Sequence, residues 1–338
     1  MHNVRHLMRF PTGVSYLLRR DRNWGQPIFF TIETINSCNF RCLYCPQSDQ
    51  QRHFVNGRGI MSLENFKLII ANLRSAFDVG IVSLHRDGEP LLNKQLEAYI
   101  SHLTGLGIYV TTSSNCSLIS EERAKGLIES GLRMVGTDFC AEAAVYERLR
   151  VRGVWQQTLT SVHNLLRAAA KAKTDFRVVL KDIATNGCSP EQARSLTGET
   201  RELFSEWDGR VTVMPVYFHN ALGESQVDLS GSPTADHRAA YTLCHQPWTN
   251  LTVDFAGRVV ACCRDLRSEF IVGNLLEQPA AQIWNGERMM RLRRALASKQ
   301  PEEINVCKGC DVPWHGSYSG RTPLQKIRSF FFSKVWKR

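Results

Sequence analysis

The chain of 338 residues is long enough for a large core, and its apolar (43%) and charged (22%) fractions are ordinary for a globular protein. Its formal charge of +10 sits at the ends: residues 1–22 hold five Arg against one Asp, residues 321–338 hold six Lys or Arg and no acid, and residues 23–320 are neutral. That excludes a basic nucleic-acid groove across the body, and no apolar run reaches the length of about 18 residues that a membrane span needs.

Residues 1–27 read as a basic N-terminal extension, since Met1 to Arg22 lacks the hydrophobic stretch of a signal peptide. From Ile28 onward, short β-branched runs alternate with helix-like stretches. Strands are predicted near 28–35, 80–85, 108–112, 133–138, 177–183 and 211–217, and helices near 62–77, 93–105, 120–130, 155–173 and 190–206. Ser62 and Ser120, each followed by acids, mark helix N-termini. This alternation predicts an α/β fold of parallel strands joined by crossovers. A Ser/Gly/Pro/Asp tract, Asp228 to Asp236, reads as a linker. Beyond it, Leu251–Asp254 and Arg258–Ala261 form a predicted hairpin around Ala256-Gly257, and one helix carries Ile283, Trp284, Met289, Met290 and Leu292. Residues 316–338 form a basic tail in which Phe330, Phe331, Phe332 and Trp336 interleave with Lys326, Arg328 and Lys334. Terminal helices docking on their own barrel explain such ends better than weak contact with anionic lipid.

The chain has eleven cysteines and no secretory signal, which points to a reducing cytoplasm and to metal ligation rather than disulfides. Cys38, Cys42 and Cys45 follow the first strand with C-x3-C-x2-C spacing. Three thiolates on an iron–sulfur cube leave one iron open to an outside molecule. Zinc is the alternative, with His53 as a fourth ligand. The tract Cys38-Asn39-Phe40-Arg41-Cys42-Leu43-Tyr44-Cys45 resembles the signature loop of the radical SAM superfamily, whose open iron binds S-adenosylmethionine. The resemblance implies a partial (β/α)6 TIM-like barrel over residues 28–230, with its chemistry at the C-terminal strand ends.

Cys244, Cys262, Cys307 and Cys310 make a second set, and four thiolates saturate a cluster. The tract CHQPWTNLTVDFAGRVVACCRD resembles the SPASM extension of that superfamily, and the lack of cysteine after Cys310 matches its shortened, single-cluster twitch form, over residues 238–315. Cys263 is an alternative to Cys262, and structural zinc is an alternative to iron.

The resemblance implies further site residues. Gly88-Glu89 stands where the family holds the methionine amino group, with Asp87 in place of a customary glycine. Ser114-Asn115 stands where the SAM ribose or carboxylate binds, with Cys116 replacing a glycine, and Asp138 ends another strand at a pocket-facing position. Either Arg150 or Arg152 matches the arginine that pairs with a carboxylate of SAM or substrate. The implied reaction has a reduced cluster cleave SAM to a 5′-deoxyadenosyl radical that takes hydrogen from a small sugar, cyclitol or nucleoside at a hydroxylated carbon. Oxidation to a ketone, with the second cluster as electron acceptor, makes a dehydrogenase. Return of hydrogen by a thiol, for which Cys116 and Cys140 are the candidates, makes an epimerase. Peptide modification is a third outcome. A reductant such as flavodoxin or ferredoxin is the implied protein partner.

Overall fold

The computed structural model describes residues 2–49, 53–216, 218 and 241–314, with side chains from residue 10 onward and, at Trp314, backbone alone. The linker 228–236, the boundaries at 230 and 238, and the tail 316–338 lie outside the described residues.

Six parallel strands form the body: β1 (Phe29–Ile32), β3 (Ile81–Ser83), β4 (Tyr109–Ser113), β5 (Met134–Phe139), β7 (Arg177–Asp182) and β8 (Val211–Pro215). Between them run α2 (Leu63–Ala76), α3 (Leu96–Gly105), α4 (Glu121–Glu129), α6 (Trp155–Lys171) and α7 (Pro190–Glu202). Side chains of Ser62, Ser120 and Ser189 cap α2, α4 and α7 by accepting from Asn65, Arg123 and Gln192 N–H groups. The strands lie in chain order, as crossover connections require. The result is the parallel α/β order that the alternation predicts and the partial barrel that the resemblance implies.

The first 27 residues dock on the rest of the chain, as expected of the terminal helices, while one predicted helix divides in two. Helix α1 (His2–Leu17) and the segment after it pack on the C-terminal part of the chain. Tyr16 donates to Leu243 O, Trp248 Nε1 to Arg20 O, Trp284 Nε1 to Gly25 O, and the buried Arg293 to Asp21 O. The single predicted helix of residues 283–292 is two, α8 (Ala280–Trp284) and α9 (Glu287–Ala297), broken because Asn285 turns to bond Asn23 and Gly286 caps the second.

The C-terminal hairpin is not a separate layer. Strand β9 (Asn250–Val253) pairs in parallel with β1, and β10 (Arg258–Val260) and β11 (Ile271–Asn274) extend the same sheet to nine strands among the described residues. Gly257, at φ +82°, turns the β9–β10 hairpin in the left-handed region where glycine is favoured. The second cysteine set is thereby carried on the sheet that holds the first.

Side chains alternate across this sheet. Phe30, Ile32, Val82, Leu84, Val110 and Val135 face the helices and pack with Phe66, Leu73, Leu103 and Leu127. The opposite face, followed through register from Thr31 to Ser83 to Thr111, from Ser113 to Gly136 to Val179, and from Asp138 to Lys181, is largely polar. A barrel interior lined this way suits a polar guest.

Candidate functional site

The loop after β1 carries Cys38, Cys42 and Cys45, all partly buried. A two-residue strand, β2 (Arg41–Cys42), pairs with β6 (Arg150–Val151), matching Cys42 to Arg150, and Leu43 N–H adds a bond to Leu149 O. Cys45 N–H closes a turn on Cys42 O. On the other side Asn115 Nδ2 donates to Asn39 Oδ1 at 2.8 Å, and Asn39 donates to Ser117. The loop is thus fastened at both flanks.

Gly88 explains why a glycine stands before Glu89. A methyl group there would lie 2.4 Å from Ile35 O and 2.7 Å from Ser37 O, and Glu89 N–H donates to Ser37 O at 2.8 Å. The Gly88-Glu89 backbone therefore abuts the residues just before Cys38. The Glu89 carboxylate is buried and accepts from Ser114 Oγ, Asn115 N–H and Leu91 N–H at 2.8, 2.6 and 3.0 Å. These fill three of about four acceptor directions and leave one. Burial pushes its carboxyl up, while these hydrogen bonds pull it back.

Arg150 and Arg152, indistinguishable in sequence, separate here. Arg150 is buried, lies over the Phe40 and Tyr146 rings, and donates to Asp138 O. Its Nε has no acceptor among the described residues. Arg152 is exposed at φ +74°. Asp138 accepts from Tyr44 at 2.9 Å and lies 3.7 Å from Lys181 Nζ. Its carboxyl is held below the usual range: burial, the largest influence, opposes this, but Lys181 and Arg150 outweigh it.

Sequence reasoning missed His85. It lies two residues past Ser83 on the polar face, and no hydrogen bond or ion pair engages it among the described residues. Burial, then the Lys181 cation, push its imidazole down to about 4, opposed by Asp87 and Asp138, with Arg86 adding to the fall. Lys181 and Asp138 stand on strands that are not neighbours of β3, so their influence is exerted across the barrel interior. Counting by two from the strand end would have placed His85 on the pocket face. A folded-state value below the unfolded one means the unfolded chain binds the proton first. Stability is therefore expected to fall as pH drops from about 6.5 toward 4, with a shallower fall in His85→Gln, as read from urea midpoints across that window. His53, the alternative zinc ligand, instead pairs with buried Asp87 at 2.5 Å.

Cys116 and Cys140, the candidate hydrogen donors, are enclosed. Both are at most 1% exposed within the apolar core, and their thiols donate to Ser114 O and Glu142 O. Cys116 sits at φ +59°, in the left-handed region that favours glycine.

The second set shares one cavity wall. Cys244, Cys262, Cys307 and Cys310 line one enclosed cavity under Leu292 and Leu296, and Cys263 does not line it. Burial pushes the Cys262 thiol well up, and Cys263, Cys244, Cys307 and Cys310 push it the same way. In the first loop burial likewise raises Cys38 to about 12, and raises Cys42 and Cys45. Thiols crowded so that each resists ionisation fit cationic metal centres that draw the protons off. The unpartnered Arg150 Nε and the spare acceptor position of Glu89 fit a ligand bearing carboxylate and ammonium.

The Radical SAM superfamily model matches residues 32–184, and the SPASM iron-sulfur cluster-binding domain model matches residues 244–311. The chain carries a radical SAM domain and a SPASM domain. Its cofactors are S-adenosylmethionine with a [4Fe–4S] cluster and an auxiliary cluster of the SPASM domain. This radical SAM enzyme is 24% identical over 285 residues, 83% of its length and 91% of the relative's, to the S-adenosyl-L-methionine-dependent 2-deoxy-scyllo-inosamine dehydrogenase of Niallia circulans. It is 27% identical to the PqqA peptide cyclase of Rhodopseudomonas palustris over 37% of its length and 32% of that relative's. The crystal structure of BtrN in complex with AdoMet and 2-DOIA shares the fold, with TM-score 0.58 at 18% identity over 88% of this chain and 97% of that one.

Proposed function

We propose that this enzyme is a dehydrogenase that oxidises a hydroxylated carbon of a small cyclitol or sugar to a ketone. One observation carries the reading: a cavity walled by four cysteines, a one-electron sink when loaded, is mounted on the sheet whose polar face forms the pocket. The likeness to an inosamine dehydrogenase over most of both chains supports it.

In this reading Cys38, Cys42 and Cys45 hold the first cluster, and Cys244, Cys262, Cys307 and Cys310 hold the auxiliary one. Glu89, Asn115 and Arg150 hold the amino and carboxylate groups of SAM, and Ser114 keeps Glu89 in place. Bound SAM supplies the radical that removes hydrogen from carbon. The chain's own task is to orient that carbon. Asp138 and Lys181 offer an acceptor and a donor to substrate hydroxyls, and Tyr44, stacked on Phe218 at 4.2 Å, walls the site beside the cysteine loop. The neutral His85 offers a ring nitrogen as hydrogen-bond acceptor to a substrate hydroxyl, whose proton leaves to solvent as the carbonyl forms. We place the enzyme in a reducing cytoplasm, with flavodoxin or ferredoxin as its electron source.

The enclosure of Cys116 and Cys140 favours oxidation over epimerisation by a thiol donor. The deciding measurement is anaerobic incubation with 2-deoxy-scyllo-inosamine and related cyclitols in deuterium oxide. A product two hydrogens lighter, one 5′-deoxyadenosine per turnover, is expected. Deuterium on carbon without net oxidation would make the enzyme an epimerase instead.

A further inference from the structure

We infer that Arg86 is a positioning residue that locks the loop after Cys262 to the SAM side of the barrel and so holds the two metal centres at a fixed separation. The inference requires both clusters but not the dehydrogenase reading. Arg86 leaves the end of β3 fully enclosed and makes a two-point ion pair with Glu33, Nε to Oε1 at 3.1 Å and Nη2 to Oε2 at 3.2 Å. Its remaining donors go to the C-terminal part of the chain: Nη1 to Asp265 O at 2.5 Å and Nη2 to Leu266 O at 3.2 Å. Those carbonyls stand three and four residues after Cys262. The loop between is short and internally tied, with Arg264 N–H on Cys262 Sγ and Asp265 N–H on Cys262 O. Asp265 in turn accepts from the Glu269 and Phe270 N–H groups.

The same stretch of chain grips the first centre. Three residues on, Glu89 N–H bonds Ser37 O beside Cys38, and the Glu89 carboxylate holds Ser114 and Asn115. Glu33 also reaches across, accepting from Phe255 N–H at 3.1 Å. Residues 86–89 are therefore a strut with one metal loop at each end. The planar fork of arginine serves a carboxylate and two carbonyls at once, and a lysine ammonium cannot reproduce that geometry.

The test uses full-length protein reconstituted to about eight irons. Arg86→Lys keeps the charge and removes the fork, and Arg86→Gln removes the charge. Amide exchange at Asp265, Ser268 and Phe270 is expected to rise by about tenfold or more in both. The spin–spin interaction between the two reduced clusters, read by electron paramagnetic resonance, is expected to weaken or broaden at unchanged iron content. Should Arg86→Gln fail to fold, Arg86→Lys alone decides. Wild-type exchange and wild-type spin coupling in the folded, fully loaded variants would overturn the inference.

Discussion

Cys42→Ala is expected to abolish reductive cleavage of SAM, with 5′-deoxyadenosine output falling by more than about 100-fold, because groups that merely orient metal ligands are already worth 10–100-fold. Cys42 is the middle thiol of the loop and the one held in register with Arg150 by the β2–β6 ladder. Removing its sulfur takes away a ligand while leaving the backbone ladder intact, so the protein should fold and bind less iron at the first site. Quantifying 5′-deoxyadenosine from dithionite-reduced protein checks this. Output at the wild-type level would remove the first site from the chemistry.

Cys307→Ala is expected to separate the two halves of the reaction. The substitution opens the four-cysteine cavity but leaves the loop of Cys38, Cys42 and Cys45 and its partners Asn115 and Arg150 untouched. SAM cleavage should continue within the same order of magnitude, while ketone formation drops by more than about 100-fold for want of an electron acceptor. Measuring 5′-deoxyadenosine and oxidised product in the same incubation reads both. Equal yields of the two, as in wild type, would mean that the auxiliary site takes no electron.

Six core strands were legible in sequence because each is a short apolar run between helix-like stretches, and period-2 and period-3.6 patterns are local properties. The two cysteine sets were legible for a similar reason, since ligand number and loop spacing are written along the chain. What failed was anything decided between distant segments. That the N-terminal residues dock was expected, but not where: Tyr16, Arg20 and Gly25 bond to partners more than 220 residues away. Arg150 and Arg152 have the same chemistry two positions apart. Only the pairing with the cysteine loop turns the first inward and leaves the second, at positive φ, in solvent.

The amino-acid order by itself determined that this chain folds as a β/α alternation and offers three thiols in one loop and four in a later set. Local spacing sets both how a strand or helix repeats and how many sulfurs a metal meets. The tertiary structure decided that the later hairpin joins the barrel through β9 and β1, that Cys116 and Cys140 are sealed in the core, and that His85, Asp138 and Lys181 share one pocket face. Each of these depends on strand register and burial, which arise from contacts among residues far apart in the chain; the alternation within one strand marks a face but not what lies opposite it.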